Sequence, residues 1–145
     1  MATKVLDSWA LMAFFNDEPA AAKVEEILAR ADAHSDKLLM TVVNWGEIYY
    51  SIMRGASQEA AEHYAREIHA LPIELVPVGQ DLVLVRQAAI FKAEKKLAYA
   101  DAFAAGLAKP VIRSLMRLKK PLSKYLAAWI LILLSDDFWH YKVSD

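Results

Sequence analysis

Residues 37–54 read Lys37-Leu38-Leu39-Met40-Thr41-Val42-Val43-Asn44-Trp45-Gly46-Glu47-Ile48-Tyr49-Tyr50-Ser51-Ile52-Met53-Arg54, and this stretch decides the fold class. The run at 37–41 has the length and apolar character of a buried strand. A helix is predicted from about 43 to 54, ending at Gly55, a residue suited to the left-handed position past a helix end. Parallel strands need a crossover connection, commonly a helix, so a strand leading into a helix points to an α/β sheet.

The same alternation extends in both directions. Residues 4–6 read as a short strand stopped by Asp7 and Ser8, after which Trp9, Leu11, Met12, Phe14 and Phe15 continue at mostly helical spacing. Glu18 and Pro19 open a second helix whose apolar positions Ala21, Val24, Ile27 and Leu28 recur at three- and four-residue steps. Beyond Gly55, Ser57 is placed to cap a fourth helix running to about 70. Residues 73–78 read as a third apolar strand bounded by Pro72 and Gly79 and interrupted by Pro77, followed by helices over about 81–95 and 97–108. Strands alternating with helices predict a mostly parallel sheet covered on both faces. In such sheets ligands gather beyond the carboxyl ends of the strands, so the side chains that follow each strand are the candidate site.

The chain has 145 residues, a length suited to one domain with its own core. It is 57% hydrophobic and 24% charged with 4 Gly and 5 Pro, a composition that excludes disordered and collagen-like classes. The absence of cysteine removes disulfides, thiolate zinc sites and a cysteine nucleophile, and favours a reducing cytoplasm as the expected location. A formal net charge of −1 argues against a protein that coats nucleic acid electrostatically. That total conceals a reversal. Residues 1–108 hold 10 Lys+Arg against 15 Asp+Glu, a balance of −5, whereas residues 109–145 hold 7 against 3, a balance of +4. The N-terminal residues show no secretion signal. The longest uncharged apolar stretch, 125–135, is about half the roughly 20 residues of a membrane-spanning helix, so no membrane association is expected.

Three acids stand where the sheet could bring them together. Asp7 follows the first strand, and its ordinary role would be to cap the next helix. Glu47 lies about a turn into the helix after the second strand, among Trp45, Ile48, Tyr49 and Tyr50 rather than among other charges. Asp101 lies in Leu97-Ala98-Tyr99-Ala100-Asp101-Ala102-Phe103-Ala104-Ala105, where nothing else is charged; Asp is a poor helix-interior residue but suits a helix start. Crowded carboxylates repel and remain ionised together when a cation sits among them, and hard oxygen donors select Mg²⁺ or Mn²⁺. Such an ion can activate water and polarise a phosphodiester, which makes metal-assisted hydrolysis the leading chemistry.

These residues resemble the PIN-domain ribonucleases, and within them the VapC-type toxins of toxin-antitoxin pairs. The resemblance covers about residues 3–108, through the segment from Val5 to Leu11, the Asn44-Trp45-Gly46-Glu47-Ile48-Tyr49-Tyr50 segment and the alanine-rich stretch around Asp101. It implies a PIN-like, Rossmann-like α/β fold, with a parallel sheet flanked by helices. It also implies endonucleolytic cleavage of RNA through a carboxylate-bound Mg²⁺ or Mn²⁺, inhibition by a cognate antitoxin, and a homodimer. By position, Asp7, Glu47 and Asp101 match metal-binding and catalytic acids. Ser8 matches a small polar residue that orients water or phosphate, and Asn44 is placed to support Glu47 or the substrate. The alternative is a catalytically impaired PIN-like protein that only binds an antitoxin.

The pattern breaks after residue 108. The family places a further acid beyond the alanine-rich helix, at an offset that lands here on Lys119, within a basic segment. One explanation keeps 1–145 as a single domain with a divergent 109–145 segment and places the fourth acid late, at Asp136 or Asp137, after the strand-like run 129–134 and before Phe138. The other is a frameshift near Lys109. Permitted codons for 110–120, read in another frame, can encode an acid-x-x-Phe ending, although earlier than expected, so that a small deletion is also required. Other classes fit poorly. A phospho-accepting signalling domain would want an acid after the third strand, where Pro77, Val78 and Gly79 stand, and His34, His63, His69 and His140 are too scattered for a zinc motif.

Overall fold

The computed structural model describes residues 2–117. Asp136, Asp137, Phe138 and the expected strand at 129–134 lie outside the described residues.

The elements in chain order are β1 (Ala2–Val5), α1 (Ser8–Phe15), α2 (Ala21–Asp32), β2 (Asp36–Thr41), α3 (Val42–Gly55), α4 (Gln58–Ala70), β3 (Ile73–Val76), α5 (Val83–Lys95) and α6 (Tyr99–Arg117). Among the described residues the three strands form one sheet in the order β1-β2-β3. Both pairings are parallel, with Val5 opposite Leu39 and Thr41 opposite Val76. The expected α/β class is therefore the observed one.

β2 is central, and its side chains divide between the two faces as the pleat requires. Leu38 and Met40 join Leu6, Leu11, Val24, Ile27, Leu28, Ile48 and Ile52 in one core cluster beneath α1–α4. Leu39 points the other way, packing with Val5 against Ala104 and Ala108 of α6. A third cluster joins Ala88 of α5 to Ala102 and Phe103 of α6. The small residues of α6 let the helices come close. A β-carbon on Gly106 would lie 3.3 Å from the Ala88 nitrogen and 3.4 Å from Leu84 Cδ1.

Several expected boundaries move. Gly55 is the last residue of α3 rather than a left-handed residue beyond it; no glycine has a positive φ, and α3 ends at Ala56 with φ −135°. β1 starts earlier and stops at Val5, with the Leu6 N–H still donating to the Leu39 oxygen at 2.8 Å. α5 starts at Val83, where the Asp81 carboxylate accepts from the Val83 N–H at 3.1 Å. α6 does not stop at 108 but runs through Pro110 to Arg117. Pro110 removes one internal hydrogen bond, to the Gly106 carbonyl, without ending the helix. The Ser57 cap forms as expected, its hydroxyl accepting from the Ala60 N–H at 3.1 Å.

At the amino end of β2 the buried Asp36 carboxylate stitches the sheet to its surroundings. It accepts hydrogen bonds from the Ala2 N–H at 3.0 Å, from Arg30 Nε at 2.8 Å and from Lys4 Nζ. Burial would raise its pKa, but the bonds from Lys4, Arg30 and Ala2, together with the Lys4 charge, outweigh it and hold the carboxyl well below the usual Asp range.

Candidate active site at the carboxyl edge of the sheet

Asp7 leaves β1 in extended conformation (φ −90°, ψ 178°) and caps α1, its Oδ1 accepting from the Ala10 N–H at 2.9 Å. The geometry follows from an acid placed between a strand and a helix start, where N–H groups lack helical partners. At 3% exposure the carboxylate is nearly enclosed. Ser8, the first residue of α1, is also buried.

Thr41 performs the same task at the end of β2. Its Oγ1 accepts from the Asn44 N–H at 3.1 Å, starting α3, and its hydroxyl donates to Asn44 Oδ1 at 2.5 Å. Asn44 is fully buried. Its Nδ2 donates to Ser8 Oγ at 3.2 Å and to the Ala100 carbonyl oxygen at 3.1 Å, and the Ser8 hydroxyl donates to the Asn44 main-chain oxygen at 3.1 Å. The carboxamide thus uses its oxygen on one partner and its nitrogen on two, a fixed orientation that a flipped amide would lose.

This network joins three distant segments at one corner. Ser8 adjoins Asp7, Ala100 adjoins Asp101, and Glu47 follows Asn44 by three residues on α3. Glu47 and Asp101 are both partly exposed, and Asp101 lies in the first turn of α6, where the helix dipole favours an acid. Glu47 borders two faces of α3, the buried one of Asn44, Ile48 and Ile52 and the exposed one of Tyr50 and Met53.

The donor chemistry of Asp7, Glu47 and Asp101 suits a hard divalent cation, since all three offer carboxylate oxygens. Their arrangement is less complete. Among the described residues no three His, Asp or Glu side chains stand in a group that could hold a metal ion, so these acids do not form a ready three-carboxylate cage. What the structure brings together is the backbone that bears them. The Ser8 hydroxyl donates its proton to a main-chain carbonyl, and Asn44 is shut off from solvent and bonds Ser8 and Ala100 rather than Glu47.

Thr41 escapes the reading of the sequence as a site residue, although a threonine just ahead of a helical run is an ordinary capping signal. The part played by Ala100 has no sequence signal at all, because its main-chain oxygen is the functional atom.

A family model described as PIN domain matches residues 4–110, which include every residue of this corner. No curated protein matches the chain. Among the described residues no helix is long and apolar enough to cross a membrane.

Proposed function

The chain belongs to the PIN-domain family, and from that premise we propose that it is a metal-dependent endoribonuclease of the VapC type, hydrolysing RNA with Asp7, Glu47 and Asp101 as its acids. PIN domains are commonly metal-dependent nucleases. The observation that carries the finer reading is the Asn44 network, which ties together the segments bearing Asp7 and Asp101 on the carboxyl side of β1 and β2.

Mg²⁺ or Mn²⁺, held by these carboxylates, would supply Lewis acidity toward the scissile phosphate. The chain's own contribution is placement. Thr41 starts α3 at the strand end, Asn44 sets α1 and α6 against it, and the Asp7 carboxylate stays fixed by its bond to the Ala10 N–H. With a cation held by Asp7, Glu47 and Asp101, a chain of net negative charge would need no broad basic surface to act on RNA.

The proposal extends to partners. Its partners would be a second copy of the chain, forming a homodimer, and a cognate antitoxin, for which the exposed side chains of Tyr50 and Met53 on α3 and of Val83 and Ile90 on α5 are candidate contacts. A cytoplasmic location accords with the cysteine-free composition.

A second reading is favoured by two specific observations, the lack of a ready three-acid group among the described residues and the presence of Lys119 where the family places an acid. It makes the chain a catalytically impaired PIN-like protein that binds an antitoxin. Cleavage of single-stranded RNA with Mg²⁺ or Mn²⁺, with and without EDTA, separates the two, with Asp7→Asn controlling for contaminating nuclease. Metal-dependent cleavage lost in Asp7→Asn supports the ribonuclease. Cleavage that survives in Asp7→Asn, or none in the wild type, overturns it. The frame question is settled by the coding DNA, whose codons after Lys109 must yield an acid-x-x-Phe ending in a shifted frame if residues 109–145 arose by frameshift.

A further inference from the structure

We infer that Asn44 is a positioning residue for the hydrolysis, setting the first turns of α1 and α6 relative to α3 without touching RNA. The inference rests on the ribonuclease reading and adds to it the part that makes the site rigid.

Full burial keeps the Asn44 side chain away from any substrate. Its contacts nevertheless reach Ser8, 36 positions earlier, and Ala100, 56 positions later. The carboxamide cannot turn without loss, because the Thr41 hydroxyl faces its oxygen and two acceptors face its nitrogen. Thr41 is itself held by the Asn44 N–H, so the bracing closes on α3. Removing the carboxamide frees the start of α6, which bears Asp101, from the start of α1, which Asp7 caps.

Aspartate is the informative replacement. Asn44→Asp keeps the shape and the acceptor facing Thr41 but has no N–H to donate, and it sets a carboxylate oxygen against the Ala100 carbonyl. Misplacing a reacting group by about 1 Å costs on the order of 100-fold in rate, so the effect belongs in kcat.

The test compares Asn44→Asp and Asn44→Ala with Asp36→Asn, all in the full chain. Asp36 begins β2, whose other end is Thr41, and it lies in the separate cluster with Lys4 and Arg30. Asp36→Asn therefore reports the effect of lost stability away from the site. Each protein is assayed on single-stranded RNA well below its melting temperature, and amide exchange of residues 99–104 is followed by mass spectrometry. The expected result is a fall in kcat of roughly 10- to 100-fold in both Asn44 variants, with KM little changed and faster exchange over 99–104. Asp36→Asn retains kcat and the exchange pattern. Retained kcat in the Asn44 variants, an equal loss in Asp36→Asn, or unchanged exchange over 99–104 overturns the inference. If the wild type cleaves no RNA, the ribonuclease reading fails and the kinetic part of the inference with it, while the exchange comparison decides separately whether Asn44 anchors α6.

Discussion

Asn44 Nδ2 donates to the Ala100 carbonyl oxygen at 3.1 Å, spanning 56 positions of sequence and joining α3 to α6 through a buried hydrogen bond. A buried donor left without its acceptor costs about 1–3 kcal/mol, so the bond is more costly to break than its modest net gain suggests. The corner therefore resists change at any of its members.

Thr41 is the member most easily tested. Thr41→Val keeps the shape of the side chain but removes both the cap of α3 and the donor to Asn44 Oδ1. Loss of a threonine cap costs about 0.5–2 kcal/mol, and the stranded Asn44 oxygen adds to it. A urea-unfolding midpoint clearly below wild type is expected for Thr41→Val, with Thr41→Ser restoring most of the loss. Equal midpoints for all three proteins would show that the network contributes nothing to stability.

Asp7 has a capping role and a proposed catalytic one, and two substitutions separate them. Asparagine caps helices about as well as aspartate, whereas alanine forfeits roughly 1 kcal/mol. Asp7→Asn should melt close to wild type and Asp7→Ala below it, while both lose metal-dependent RNA cleavage. Full cleavage in a well-folded Asp7→Asn protein would reduce Asp7 to a cap.

The Asp36 cluster predicts acid sensitivity with a definite sign. Its carboxyl ionises in the folded chain well below the usual Asp range, held there against burial by Lys4, Arg30 and the Ala2 N–H. Its contribution is fully present above the unfolded pKa of about 3.9 and is lost as pH falls from there through the folded value. Stability measured from pH 6 to pH 2 should fall more steeply in wild type than in Asp36→Asn. Parallel curves for the two proteins would remove Asp36 as the cause.

Two helical glycines should respond in opposite directions. Gly46, inside α3, has nothing within 4 Å of an added β-carbon, so Gly46→Ala should stabilise by about 0.5–1 kcal/mol through helix propensity. At Gly106 the unyielding main-chain nitrogen of Ala88 lies 3.3 Å from such a carbon. Gly106→Val should destabilise by about 1–3 kcal/mol through overpacking. Thermal melts of the two variants check both signs.

The sequence alone showed the alternation of strands and helices, because that information is local. The apolar run before Thr41, the helical spacing of Ile48 and Ile52, and the Ser57 cap each depend on neighbours within a few residues. Local signals also misled. Gly55 suits a left-handed position beyond the helix but stays in its last turn, and the helix expected over 97–108 continues to Arg117. The second strand, expected from Lys37, begins at Asp36, whose side chain is buried against Lys4 and Arg30.

Periodicity and motif spacing are written along the chain, and they sufficed for the α/β class, the family likeness through residue 108 and the choice of Asp7, Glu47 and Asp101 as candidate acids. Only packing showed that Asn44 reaches Ser8 and Ala100, so that the segments bearing Asp7 and Asp101 meet on α3, while among the described residues no three acids form a group that could hold a metal ion. The reason is geometric: hydrogen-bond partners and carboxylate separations depend on how distant segments pack, and the spacing of residues along a chain does not encode those distances.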